Sequence, residues 1–161
     1  ANKSKFLIMD SDGSHQPKCI PAIHKMFVED KCDVVIGSRY VKGGVTNDAK
    51  SSQIMSHMLN FAFRICLGLH ANDLSTDYRM YHTKQLKKVK LTCENYDVLE
   101  EVLLRLKLNK RDKKVKIGEV PINFQKRMYG ESKRQLLKFI ISYIKTLFRL
   151  IGVRIQDAFH K

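Results

Sequence analysis

Apolar positions along this chain fall into short runs and helical stripes that alternate. Phe6 to Met9 is a short apolar run bounded by turn residues, and it predicts a buried strand. Pro17 suits the first turn of a helix, and Ile20, Ile23, His24 and Phe27 follow at helical spacing to an end near Asp30. Asp33 to Ser38 predicts a second short buried strand. Strand, helix and strand in about 35 residues is the βαβ pattern of a parallel sheet. Residues 40–50, with Gly43-Gly44 and Asn47-Asp48, read as a loop. A helix from about Ser51 to Leu69 places Ile54, Met55, Met58, Leu59, Ala62, Phe63, Cys66 and Leu67 on one face, with Gly68 near its end.

Asp73 to Tyr81 runs from a polar loop into a strand, and residues 94–108 predict a second amphipathic helix. Val115 to Phe124, broken by Gly118 and Pro121, reads as an edge strand or two short ones, because proline in sheets is confined to edges and bulges. The last helix, roughly Glu131 to Leu150, is the most informative. At 100° per residue Arg134, Lys138, Lys145 and Arg149 fall within an arc of roughly 60°, while apolar residues from Leu136 to Leu150 cover roughly 200°. That stripe is wider than packing on one core requires. Two readings fit: a helix lying in a membrane interface with its bases toward anionic headgroups, or one buried between core and partner.

Composition adds a charge that the pattern does not reveal. The 161 residues hold 30 Lys and Arg against 16 Asp and Glu, a net +14. Residues 1–100 carry +3 of it and residues 101–161 carry +11. A basic C-terminal third implies a polyanionic neighbour: nucleic acid, an anionic membrane surface or a phosphorylated substrate. Cys19, Cys32, Cys66 and Cys93 lie far apart without metal-ligand spacing, and read as reduced packing residues in a cytosolic setting. No signal peptide and no apolar run long enough to span a bilayer is visible.

Asp10 and Asp12, one residue apart, close the first strand. Strand periodicity points both to one side, and two carboxylates there can share a hard divalent cation, Mg²⁺ or Mn²⁺. In open α/β sheets ligands also sit at the C-terminal ends of strands. An isolated Asp-x-Asp is more often a polar turn, so the reading depends on its company.

That company is five motifs in order: Asp10-Ser-Asp-Gly-Ser-His-Gln-Pro17, Gly37-Ser-Arg-Tyr40, Leu67-Gly-Leu69, Asp73-Leu-Ser-Thr-Asp-Tyr-Arg-Met-Tyr81 and Lys126-Arg-Met-Tyr-Gly-Glu-Ser-Lys133. On these the chain resembles the family 2 inverting glycosyltransferases over almost its whole length. Within them it is most similar to the dolichyl-phosphate (polyprenyl-phosphate) mannose synthases. The resemblance implies a GT-A fold, a Rossmann-like α/β sandwich that binds a nucleotide-sugar through Mg²⁺ or Mn²⁺. It implies transfer of mannose or glucose from GDP-mannose or UDP-glucose to a polyprenyl or dolichyl phosphate, by an enzyme peripheral to the cytosolic membrane face. By motif, Asp10 and Asp12 would be the metal and donor-phosphate carboxylates, with Asp12 at the catalytic centre. Arg39 would contact the donor diphosphate or acceptor phosphate. Arg127, Ser132 and Lys133 match a stretch that closes over phosphate. Arg79 matches the Arg of a Gly-Tyr-Arg element, here with Asp77 in place of Gly, and Glu101 matches a helix acid near the sugar site.

Some positions depart from the pattern. Ser14 falls where some members place a metal-contacting Gln, and Ser52 and Gln53 stand where one or two Arg usually precede the Ser56…Asn60 of the middle helix. The family opens with a further segment holding the first strands and the nucleotide-base pocket. The chain therefore resembles the C-terminal part of such an enzyme: a partial catalytic domain over residues 1–125, then a basic loop and membrane-associating helix over 126–161. Weak or absent donor binding by the chain alone is the expectation.

The chemistry is coherent on its own terms. A metal held by Asp10 and Asp12, with Arg39 and Lys133, would stabilise charge growing on a leaving nucleoside diphosphate, and arginine's fork suits phosphate oxygens. A phosphate acceptor is ionised near neutral pH, with a second pKa of about 6, and needs little base help. A hydroxyl acceptor would require a base such as Glu101 or Asp97. Each residue also has a plainer role: Arg39 as a surface ion pair, Arg79 holding Asp73 or Asp77, Arg127 and Lys133 merely solvated, and only one of Glu100 and Glu101 facing inward. The rival functions are transfer to a glycan hydroxyl and a non-catalytic basic membrane- or nucleic-acid-binding domain. Without a recognisable helix-turn-helix or RNA-binding motif, no nucleic acid is expected.

Overall fold

A computed structural model describes residues 4–93, 98–110, 114–125 and 136–159, with side chains in the last stretch from Ile141 onward. In chain order the elements are β1 (Lys5–Ile8), α1 (Ile20–Glu29), β2 (Val34–Ser38), β3 (Val45–Thr46), α2 (Lys50–Leu67), β4 (Arg79–His82), α3 (Thr83–Leu86), α4 (Val98–Asn109), β5 (Ile117–Pro121), β6 (Asn123–Phe124) and α5 (Leu136–Phe159). The predicted strands and the first two helices lie within a few residues of these bounds, and Val115 to Phe124 divides into two short strands.

The main sheet has the order β1-β4-β2-β5. β2 and β5 pair in parallel, from Val34 opposite Ile117 to Ser38 opposite Pro121. β4 lies antiparallel between β1 and β2, with Lys5 opposite His82 and Val34 opposite Tyr81. The predicted βαβ unit is therefore present in direction but not in contact: β1 and β2 run the same way with a later strand between them. β4 earns that interior position because both its faces are apolar enough to be covered, Met80 on one and Tyr81 on the other.

Alternation sorts the sheet residues into two cores. Val35, Met80 and Val120 pack with Ile23 and Phe27 of α1. Val34, Ile36 and Tyr81 pack with Phe63 and Leu67 of α2, Leu103 and Leu104 of α4, and Leu150 of α5. Among the described residues α1 covers one face and α2, α4 and α5, with Leu86 of α3, cover the other, making the mixed α/β sandwich expected of the GT-A class. α2 ends at Gly68, whose φ of 62° is the left-handed cap that glycine adopts without a Cβ penalty.

Three helices depart from the simple amphipathic reading. α2 buries Asn60, Phe63 and Leu67, but Ile54 and Met58, predicted on that face, point outward with Phe61 and Ile65. On α4 both Glu100 and Glu101 are buried, not one. The helix is enclosed on two sides, so acids on either side find cover. α5 buries only Tyr143, Thr146 and Leu150 in the region where side chains are described, and leaves Ile141, Ile144 and Phe148 exposed. Arg149, expected among the outward bases, turns back to Glu101 at 2.9 Å. No helix of the described residues is long and apolar enough to cross a membrane. All four cysteines are free thiols.

Candidate active site

β1 stops at Ile8, so Asp10 and Asp12 sit in the bend that follows rather than on the strand. Their placement comes from the loop's own bonds. Asp12 Oδ1 accepts hydrogen bonds from the Ser14 N–H at 3.0 Å and the Ser14 hydroxyl at 2.5 Å, a local side-chain turn of the kind aspartate favours. The Asp10 N–H donates to His15 Nδ1 at 3.0 Å. His15 is itself buried, stacked on Tyr78 with ring centroids 4.8 Å apart and edge-on to Phe124. The Gln125 N–H donates to Ser14 O and the Tyr78 hydroxyl to Gln16 O, closing the loop against β4 and β6.

The carboxylate nearest Asp10 comes from another part of the chain. Donor atoms of Asp10, His15 and Asp77 lie within 4.8 Å of one another. Burial, then the charge and hydrogen bond of Asp77, push the Asp10 carboxyl above its usual range, and the charge of Asp12 adds to this. Burial lowers the His15 imidazole from its ordinary value. With Nδ1 accepting from the Asp10 N–H, His15 holds the loop in shape rather than offering that nitrogen to a cation. The donor set facing the site is thus carboxylate oxygen from Asp10 and Asp77, with Asp12 close enough to be felt electrostatically. Hard oxygen donors carrying excess negative charge fit Mg²⁺ or Mn²⁺ and not a soft metal. Asp77 was legible in sequence only as a departure from a Gly-Tyr-Arg pattern; its approach to Asp10 depends on β4 lying beside β1.

Arg39 leaves the end of β2 and enters a buried clasp. Its Nε and Nη2 donate to the two oxygens of Asp73 at 2.8 and 2.9 Å, and its backbone N–H donates to Asp73 at 3.0 Å. Nη2 also reaches Ser75, and Nη1 reaches the half-exposed Asp48 at 3.3 Å. Burial opposes the guanidinium's charge, but the bonds and charge of Asp73 outweigh it and raise the pKa above its ordinary value. The same pairing holds Asp73 below the usual carboxylate range in spite of its burial. Gly44 is required close by, since a Cβ there would stand 2.6 Å from Arg39 O. A ligand phosphate at Arg39 would meet the arm turned to Asp48, the other two being committed. Arg79, fully buried, holds carbonyls rather than the predicted carboxylates: Thr76 O at 2.6 Å, Leu74 O at 2.5 Å and Leu99 O at 2.8 Å. It splints the loop carrying Asp73 and Asp77 to the start of α4.

Glu101 lies in a second clasp, apart from the acid loop's bonds. Its oxygens accept from Thr92, Arg105 and Arg149. Burial would raise its pKa, but Arg149, Thr92 and Arg105 together bring it down to about 2. Such an acid is a poor proton acceptor. Arg127, Ser132, Lys133 and Asp97 lie outside the described residues.

The profile of Glycosyl transferase family 2 matches residues 2–90, and the chain belongs to that family. An undecaprenyl-phosphate mannosyltransferase from Micrococcus luteus is 37% identical over 130 residues, 78% of this chain and 51% of the relative. A dolichol-phosphate mannosyltransferase from Pyrococcus furiosus is 30% identical over 154 residues, 94% of this chain and 42% of the relative. A polyprenol monophosphomannose synthase from Mycolicibacterium smegmatis is 33% identical over 134 residues, 81% of this chain and 49% of the relative. The chain spans about half the length of the curated relatives it matches.

Proposed function

We propose that this chain carries the catalytic acids of a metal-dependent, inverting transferase that moves mannose from GDP-mannose to a polyprenyl phosphate, at the cytosolic face of a membrane. The observation that carries the reading is the meeting of Asp10 and Asp77 beside Asp12: two acids in contact, with the charge of a third adding to theirs. Bound there, Mg²⁺ or Mn²⁺ would supply positive charge to the leaving diphosphate. Asp10, Asp12 and Asp77 hold that cation; Ser14 and His15 keep the acid loop in place. Arg39, with Arg127, Ser132 and Lys133, contributes phosphate contacts. A phosphate acceptor suits the low pKa of Glu101 better than a hydroxyl acceptor, because no base is then required. The exposed apolar residues of α5, with Lys145 and Arg154, support an anionic membrane surface as the partner.

Calorimetric titration with Mn²⁺ tests the metal assignment. The chain is expected to bind Mn²⁺, and the Asp10→Asn/Asp12→Asn double variant is expected to lose binding; equal affinity in the variant overturns the assignment. Asp77→Gly, which restores the residue usual in the motif, is expected to weaken Mn²⁺ binding about tenfold or more. Unchanged affinity there would remove Asp77 from the site while leaving Asp10 and Asp12 in it. GDP-mannose added with Mn²⁺, beside UDP-glucose, then reads donor choice.

A further inference from the structure

The end of the main sheet away from the acid loop is lined with lysine. β2 runs from Asp33 toward Arg39, β4 runs the other way from just after Asp77, and β5 starts after Lys116. Asp33, Lys116 and the stretch after β4 therefore share one end, while Arg39 and Asp77 share the other. The five residues of β2, at about 3.3 Å each, set the two ends roughly 16 Å apart. After β4 come Lys84, Lys87, Lys88 and Lys90, all exposed, with no acid from Thr83 to Cys93. None of the four pairs with a carboxylate among the described residues. The buried Asp33 is committed elsewhere. It accepts from Lys110 at 2.6 Å, from the Lys116 N–H at 2.8 Å and from Gln85 Nε2 at 3.0 Å. The exposed Glu29 and Asp30 belong to the end of α1, which packs on the opposite face of the sheet.

Beside Asp33 a cavity of about 150 Å³ opens, with Gln85, Lys88, Asn109 and Lys110 set against Leu106 and Val115. The bond from Gln85 Nε2 to Asp33 fixes the amide, so Oε1 is its acceptor end. That oxygen is buried and takes no hydrogen bond among the described residues. The cavity therefore suits a ligand that brings a negative group to Lys88 and an N–H to Gln85. A residue of an acidic peptide has both, in its carboxylate and its backbone amide. A phosphodiester backbone has no donor, and no aromatic side chain lines the cavity for a base to stack on. We propose that this end of the sheet docks an acidic segment of a partner protein, one carboxylate of which enters the cavity against Lys88 and Asn109. Lys84, Lys87 and Lys90 receive the flanking acids. Docking there leaves the acid loop and Arg39 uncovered, and the proposal is independent of how that site is read.

Fluorescence anisotropy of the 161-residue chain with a labelled peptide of alternating Glu and Gly tests the surface. The salt is held at about 0.1 M, where long-range attraction is screened. Unlabelled competitors are the matching Gln-Gly peptide, a uridine oligonucleotide of equal charge, phosphatidylcholine–phosphatidylglycerol vesicles and inorganic phosphate. The Glu-Gly peptide is expected to bind, and none of the four is expected to displace it at equal concentration. Lys88→Gln removes the charge, and Asn109→Trp fills the cavity without changing charge; each is expected to weaken binding about tenfold. Lys42→Gln makes the same change of charge in an exposed lysine at the other end of β2, and is expected to alter affinity less than about twofold. All three side chains are exposed, so the fold persists, and circular dichroism verifies it. No binding by the folded chain, or full binding by both Lys88→Gln and Asn109→Trp, overturns the site. Equal losses in Lys42→Gln and Lys88→Gln also overturn it, because net charge alone then draws the peptide. Displacement by any of the four competitors overturns the assignment to an acidic peptide.

Discussion

Asp73→Asn is expected to destabilise the chain by about 3–5 kcal/mol, seen as a lower urea midpoint or melting temperature. Asp73 is fully buried, and it takes two guanidinium arms and the backbone N–H of Arg39. The amide keeps the shape but not the charge, so Arg39 is left as a buried cation whose remaining acid is the half-exposed Asp48. Asp48→Asn is the internal comparison. Its contact is longer and wetter, and its loss should cost under about 1 kcal/mol. If the two variants melt alike, the clasp is not the source of Arg39's placement. A further check separates charge from packing: Asp73→Leu combined with Arg39→Met should recover part of the lost stability, because no buried charge then remains.

Glu101→Gln is expected to have the second large effect, and its signature is a pH dependence. In the folded chain Glu101 titrates at about 2, against 4.5 for an ordinary glutamate. A carboxyl depressed in this way adds stability above its unfolded pKa, and that stability is lost as pH falls toward the folded value. Its size is on the order of 3 kcal/mol. Urea melts of the native chain should therefore weaken between about pH 5 and 2, while those of Glu101→Gln start lower and slope less over that window. Parallel curves would mean that Arg105, Arg149 and Thr92 do not hold Glu101 in solution. A loss of turnover in this variant cannot by itself be read as the loss of a catalytic base, since α4 and α5 are joined through the same carboxylate.

The strands were legible because each is a short apolar run with turn residues on both sides. Their order was not. Nothing near Phe6 or Val34 records that Arg79-Met-Tyr-His will lie between them, because pairing over such a separation is decided by which faces can be buried together. The acid pair was legible as a motif, yet its geometry was not that of a strand end, since the turn made by Asp12 and Ser14 took over after Ile8. Asp77 stands out in the sequence only as a departure from the motif, and its nearness to Asp10 is hidden for the same topological reason. On α2, periodicity could not tell a helix with one apolar face from a helix with two: Ile54 and Met58 sit close enough to the buried stripe to be counted in it. Glu100 and Glu101 defeated a rule that holds for helices covered on one side only.

The strand inserted out of order has a consequence for how the chain is made. Lys5 pairs with His82 and Val34 with Ile117, each across about 80 residues. The family match closes at residue 90, but the parallel neighbour of β2 arrives only with residues 117–121. A polypeptide ending between those points would present Val34 to Ser38 as a bare apolar edge, which is a template for mispairing. The stretch that the profile matches therefore lacks one strand of its own sheet. During synthesis the sheet has to wait, with that edge open, for a segment that the family profile does not cover.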